Sequence, residues 1–187
     1  MKLRTYMSNG KKALIIIDMQ NDFTKESGKS HSCTQHIDKI IPTINKLSNT
    51  FISRGHQVIY FKTEWTSFFM KLLTGNSVKV GTVGAKLDNR LKQVNNNIFI
   101  KHDKNIFESK SFLNYLDEEH ITELYFAGLA VEYCIETSFK ASQKYKYQTY
   151  IVGDAVAAYK CNNIDAVLNK YISNKYLLRS HDISKTL

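Results

Sequence analysis

A chain of 187 residues with 43% hydrophobic and 12% aromatic content can bury one full core, and nothing in its length requires a second domain, so residues 1–187 are read as one unit. The formal charge of +9 invites a phosphate-bearing partner, but the cations are dispersed into pairs such as Lys11-Lys12, with no long basic run and no nucleic-acid module, which argues against nucleic acid. The opening is polar and basic, and the apolar run at 13–17 is too short for a signal core or a membrane span, so a cytoplasmic protein with no membrane partner is expected.

In chain order, KALIIID at 12–18 is a continuous apolar run ending in a carboxylate, the pattern of a central parallel strand covered on both faces. Asp18 then stands at a strand end. From 37 to 53, Ile40, Ile44, Leu47 and Phe51 recur at helical spacing, with Pro42 placed in the tolerated first turn and Arg54-Gly55 closing the helix. VIYF at 58–61 reads as the second strand. The stretch 64–84, where Trp65, Phe68, Phe69 and Met70 precede Gly, Val, Ser and Thr, fits neither period and is read as a loop or lid. NIFIK at 97–101 is the third strand and ends on Lys101, and a helix follows at 110–116. ELYFAGL at 123–129 is the fourth strand, and the helix at 132–144 opens with Cys134. TYIVGD at 149–154, a helix at 163–171 and a sixth strand near 175–179 complete the series.

This alternation predicts right-handed βαβ units and an α/β fold: a three-layer, Rossmann-like open parallel sheet of about six strands with helices on both faces. Ligands gather outside the carboxyl ends of such strands, and Asp18, Lys101 and Cys134 all fall there.

Cys33, Cys134 and Cys161 are odd in number and form no C-x-x-C pair, so neither a disulfide framework nor a zinc ribbon is indicated. Free thiols in a reducing compartment are expected, with Cys33 and Cys161 as packing residues or exposed by chance. Cys134 differs by position: a helix N-terminus and a nearby ammonium both favour a thiolate and lower its pKa. A carboxylate such as Asp18 can take the thiol proton and return it to a leaving amine, while Lys101 offsets the repulsion between anions. Backbone N–H groups between Gly128 and Cys134 can face an oxyanion. By spacing alone, a cysteine in a first helical turn is more often a small packed residue.

Four segments tip that balance. ALIIIDMQNDF at 13–23, IKHDKNIF at 100–107, GLAVEYCIETS at 128–138 and VGDAVAA at 152–158 resemble, in order, the motifs of the isochorismatase-like cysteine hydrolases. That family includes nicotinamidases, isochorismatases, N-carbamoylsarcosine amidases, and ureidoacrylate and biuret hydrolases. The resemblance covers almost the whole chain. It implies Asp18 as general base, Lys101 as its charged partner and Cys134 as the nucleophile forming a thioester or comparable covalent intermediate. It also implies a cis peptide between Ala130 and Val131, turning the N–H groups of Val131 and Cys134 toward the oxyanion. Phe23 matches an aromatic that lines the ring pocket of nicotinamidases, Tyr133 adjoins the nucleophile, and Trp65 with Phe68 and Phe69 is read as an aromatic wall for a flat substrate, or as core or subunit contact.

GLAVEYC is closest to nicotinamidases, which place a D-x-H metal motif after the second strand. Here that place reads Lys62-Thr63-Glu64-Trp65-Thr66, and no histidine occurs between His56 and His102. No metal or other cofactor is therefore expected. The implied activity is C–N hydrolysis of a small amide, ureido or carbamoyl compound. The alternatives are vinyl ether hydrolysis of the isochorismatase type, or a non-catalytic or redox-sensing protein on the same fold. His31 and His36 are read as surface residues, His102 as a loop residue and Asp154 as structural. The resemblance further implies a homodimer or homotetramer.

Overall fold

The computed structural model describes residues 10–145 and 147–187. Six strands form one parallel sheet: β1 (Lys11–Ile17), β2 (Gln57–Thr63), β3 (Ile98–Lys101), β4 (Ile121–Leu129), β5 (Gln148–Ala157) and β6 (Leu177–Leu178), in the spatial order β3-β2-β1-β4-β5-β6. Among the described residues seven α-helices connect and flank them: α1 (Asn21–Thr24), α2 (Thr34–Ser53), α3 (Phe68–Leu73), α4 (Lys110–Glu118), α5 (Glu136–Lys144), α6 (Ile164–Tyr171) and α7 (Ser180–Thr186). The expected α/β class and sheet follow, although β6 is only two residues long.

The unbroken apolar run of β1 is explained by two separate cores. Ala13, Ile15 and Ile17 point to one face, where they join Ile59, Phe61, Phe112, Leu116 and Phe126 beneath α4, α5 and α6. Leu14 and Ile16 point to the other, against Ile37, Ile40, Ile44, Leu47 and Phe51 of α2 and Ile183 of α7. Alternate residues of a strand face opposite ways, so a strand buried on both faces has no polar position to spare.

β2 leaves β1 toward one edge and β4 leaves it toward the other, so the carboxyl ends of β1 and β4 flank the crevice at which the winding reverses. Gly128 makes that approach possible. Its φ is +104°, and a Cβ there would lie 2.1 Å from the Ile17 carbonyl oxygen, one residue before Asp18.

Several expectations are corrected. Pro42 is not in a first turn, because α2 begins at Thr34 and Pro42 is its ninth residue. It is exposed, so the Asp38 carbonyl it leaves unbonded can be hydrated while the apolar face of α2 keeps the helix docked. The stretch 64–84 holds the short helix α3. The helix expected at 132–144 starts as a wider π turn, Val131–Ile135, in which the N–H groups of Tyr133 and Ile135 both donate to the Ala130 carbonyl. No cis peptide occurs among the described residues, so the Ala130–Val131 bond is trans; the chain turns by way of extended Ala130 and the π turn instead.

Cys33 and Cys161 are not free. They form a disulfide with a Cα–Cα distance of 4.9 Å across 128 residues of sequence. The sheet brings the loop after β5 beside the start of α2, a proximity that cysteine spacing does not encode. The cysteine argument for a reducing compartment goes with it. Among the described residues no helix is long and apolar enough to cross a membrane.

Candidate active site

Asp18 follows β1 directly, in the left-handed region at φ +59°, a conformation that costs a non-glycine residue free energy and persists where surroundings hold it. Its N–H donates to the Phe61 carbonyl at 2.9 Å. Buried Gln20 fixes the neighbouring strand end: its side-chain amide donates to the carbonyls of Thr63 and Ala85, and its oxygen accepts the Thr63 N–H.

These constraints aim three strand ends and one turn at a single point. Lys101, the last residue of β3, places Nζ 2.9 Å from Asp18 Oδ2 and 3.2 Å from Cys134 Sγ. It also donates to Thr63 Oγ1 at 2.6 Å and to the Asp103 carbonyl at 3.2 Å. Thr63 in turn donates to Asp18 Oδ1 at 2.7 Å. Asp18, Thr63, Lys101 and Cys134 are all buried. The three residues singled out in the sequence are thus brought together.

Thr63 was missed, and it bridges the other two. Its signal was its place at the end of β2, level with Lys101 across the β2–β3 pair; a threonine in a β-rich stretch reads as a strand former, which hides a polar role.

The electrostatics differ from expectation at the sulfur. Burial pushes the Cys134 thiol up to about 12, and the Asp18 carboxylate adds to the rise, while Lys101 opposes both. The expected low-pKa thiolate is not the resting state. Burial works to lower the pKa of Lys101, but Asp18 and the Cys134 sulfur outweigh it and raise the pKa, so the ammonium stays charged.

A cavity of about 340 Å³ opens above this cluster. It is lined by Asp18 and Cys134, by the aromatics Phe23, Trp65, Tyr133 and Tyr159, by the apolar Met70, Leu73, Leu129 and Ala130, and by the polar Ser30, Ser32, Thr74 and Lys104. Phe23, Trp65, Ala130 and Tyr133 are thus all in the lining. The Val131 side chain is fully buried in the core, so only its backbone, the group expected to face the oxyanion, is left for the site. Phe68 and Phe69 are not among the residues that line the cavity, and both are exposed. Helix α3 turns Met70 and Leu73 to the cavity in their place. Tyr159 was also missed: its N–H donates to both Glu132 carboxylate oxygens, which ties the loop after β5 to the nucleophile turn, and its ring meets Tyr133 edge-on at 5.7 Å.

No imidazole lines the cavity, and the described residues contain no cluster of three His, Cys, Asp or Glu. The one carboxylate present already pairs with Lys101 and accepts from Thr63. This donor set does not fit a histidine-rich metal site. His102 is exposed and hydrogen-bonds the Glu64 carbonyl at 2.7 Å, and Asp154 accepts from the N–H and hydroxyl of Ser180 at the start of α7, a structural role.

Residues 12–179 match the family model of the isochorismatase domain. No curated protein matches the chain. Among solved structures, the chain is similar to a nicotinamidase from Bacillus subtilis, with 28% identity and a TM-score of 0.77 over 88% of this chain and 96% of that one. It is similar in fold to a cysteine hydrolase from Pseudomonas syringae, with 17% identity and a TM-score of 0.83 over 94% and 91%. The same holds for an N-carbamoylsarcosine amidase from Thermoplasma acidophilum, with 22% identity and a TM-score of 0.75 over 91% and 96%.

Proposed function

Because this chain belongs to the isochorismatase family of hydrolases, we propose that it cleaves the C–N bond of a small planar amide, ureido or carbamoyl compound through a covalent thioester on Cys134. The observation that carries this reading is the buried contact of Cys134 Sγ with Lys101 Nζ at 3.2 Å, beside the Asp18 carboxylate at 2.9 Å from the same nitrogen.

In the resting site the thiol holds its proton. As the substrate carbonyl settles over Cys134, that proton passes to Asp18 while the S–C bond forms. The carbonyl oxygen becomes an oxyanion facing N–H groups at the start of the helical segment that begins at Val131, where the partial positive charge of the turn is felt. Collapse breaks the C–N bond, and the proton on Asp18 goes to the departing nitrogen. A water then gives a proton to Asp18 as it attacks the thioester; the acid leaves and the thiol is restored. Lys101 stays charged throughout and keeps the carboxylate aimed at the sulfur. No step needs a metal, and we propose carbonyl activation by the backbone alone.

A thiol protonated at rest counts against a peroxide-sensing thiolate at the same position. We further propose self-association as a homodimer or homotetramer, supported by exposed Phe68, Phe69 and Leu72.

The test is ammonia or product release from nicotinamide, pyrazinamide, ureidoacrylate, biuret, N-carbamoylsarcosine and isochorismate, with Cys134→Ala in parallel. Turnover of an amide or ureido compound that Cys134→Ala abolishes is the expected result. Amide turnover that survives the substitution, or turnover of isochorismate alone, overturns it.

A further inference from the structure

The charges that face the cavity do not balance. Asp18 and Lys104 are the two charged residues in its lining. Asp18 is neutralised by the Lys101 ammonium at 2.9 Å, whereas Lys104 pairs with no carboxylate among the described residues. The Lys104 backbone is occupied elsewhere: its carbonyl accepts the Ser138 hydroxyl of α5 at 3.3 Å, and its N–H donates to the Asp103 carboxylate. Its ammonium stands 5.3 Å from the centre of the Tyr133 ring, on the residue next to the nucleophile. Both side chains are exposed, which sets the pair at the rim. The hydroxyls in the lining carry no charge: Ser30 donates to the Thr74 carbonyl, Thr74 to the Met70 carbonyl, and Ser32, Tyr133 and Tyr159 add three more. Hydroxyls bond neutral and anionic ligands alike, so they do not select by charge.

Resting on the amide-hydrolase reading, we propose that Lys104 determines specificity and that the substrate is an anionic amide: away from the carbonyl under attack it carries a carboxylate, which the Lys104 ammonium receives at the rim beside Tyr133. Lys101 is not available for this task, because its Nζ is held by Asp18, Thr63 and the Asp103 carbonyl. A monoanion matches the single uncompensated positive charge of the lining, whereas a phosphate dianion leaves negative charge unanswered. The adjoining groove shares Ser30, Ser32 and Tyr159 with the cavity and sets Lys29 and Lys160 against Glu26. An anion therefore also meets an electropositive approach. The aromatic and apolar lining holds the body of the ligand without regard to charge; Lys104 supplies the choice.

The probes are two pairs that share an outline and differ in charge: fumaramate against fumaramide, and N-carbamoylglycine against N-carbamoylglycinamide. In each pair a carboxamide replaces the carboxylate. Binding is measured by calorimetry on the full chain carrying Cys134→Ser, to prevent turnover, at low and at high salt. The carboxylate member of at least one pair is expected to bind roughly tenfold tighter than its neutral partner, the worth of one charge-assisted hydrogen bond. That margin should shrink as salt rises. Lys104→Met keeps the aliphatic stem and should erase the margin while leaving the neutral member unchanged; Lys104→Arg should keep it, and Lys104→Glu should reverse it. A margin that survives Lys104→Met assigns the preference to Lys29 and Lys160 and overturns the proposal. So does equal binding within both pairs, equal loss of both members in Lys104→Met, or binding of none of the four at millimolar concentration. If Lys104→Met does not fold, the contrast between Lys104→Arg and Lys104→Glu decides. None of these outcomes touches the hydrolase reading, which stands or falls on Cys134-dependent turnover.

Discussion

Asp18, Thr63, Lys101 and Cys134 are each at most 7% exposed and come from four different places along the sheet edge, whereas Phe68, Phe69, Leu72 and Leu73, a few residues beyond Thr63, stand 68–82% exposed on a six-residue helix. The first group is locked by strand register, by the left-handed turn at Asp18 and by hydrogen bonds that run from each side chain to the next. The second is held through the segment around it, where the Ser30 hydroxyl donates to the Thr74 carbonyl just after the helix. There Asp22 accepts the Val78 N–H at 2.7 Å and donates its own N–H to the Gly84 carbonyl, and Gln20 holds the Ala85 carbonyl. One region fixes the chemistry and the other shapes what reaches it. Their different construction means that the segment can change without unseating the reacting groups.

The sharpest way to break that contrast is Lys101→Met. Removing the ammonium leaves the Asp18 carboxylate buried without its counter-charge, which costs roughly 3–5 kcal/mol of stability and removes hydrolysis with it. Denaturant unfolding checks the cost, and Asp18→Asn combined with Lys101→Met should recover part of it. A loss below about 1 kcal/mol, the size of a surface pair, would show that the cluster is wetter than its burial indicates.

Cys161→Ser comes next. The disulfide closes a loop of more than a hundred residues, and its removal should lower stability by roughly 2–4 kcal/mol. It also ties the loop bearing Tyr159 to the one bearing Ser30 and Ser32, all of which line the cavity. A dithiol reductant should therefore lower the melting temperature of the parent chain and leave that of Cys161→Ser unchanged.

What the sequence made legible divides along the same line. Strand ends were readable because two-faced burial forces continuous apolar runs, so Asp18 and Lys101 announced themselves as polar residues that stop such runs. Cys134 was readable from the motif around it, but its ionisation was not: the helix-end argument omits the desolvation that dominates once the sulfur is buried. Thr63 was hidden by being a good strand former. Helix α3 was hidden because a stretch that is apolar all round has no period, and Cys33–Cys161 because pairing across the molecule leaves no trace in spacing. The cis bond came with the resemblance, and the π turn at Val131–Ile135 turns the chain without it.

Thr63→Val sharpens the account of the buried group. The shapes nearly match, but Asp18 Oδ1 loses a donor and Lys101 an acceptor, a cost of roughly 1–3 kcal/mol. That loss should fall on kcat by about tenfold or more with KM little changed, because Thr63 lies beneath the floor of the cavity rather than on its wall. A change confined to KM would move Thr63 from positioning the carboxylate to contacting substrate. The buried thiol adds a pH signature. A folded pKa of about 12 lies above the unfolded value of about 8.5, so the folded state keeps its proton longer, and stability should fall as pH rises from about 9 toward 12. Cys134→Ala should flatten that decline in unfolding measurements made across the range.

The smallest effect is expected where exposure is greatest. Replacing Phe68 and Phe69 together by Ser removes apolar surface that the single chain does not bury, so its stability should move by no more than about 0.5 kcal/mol and kcat should be unchanged. What should move is association: if these side chains meet a second copy, sedimentation at matched concentration will show the parent chain as dimer or tetramer and the double variant as a smaller species. A large loss of stability in the monomer would mean instead that α3 packs against the cavity wall more tightly than its exposure allows. Loss of catalysis with stability intact would join Phe68 and Phe69 to the reaction through Met70 and Leu73, which line the cavity, and the separation between the two regions would then fail at that helix.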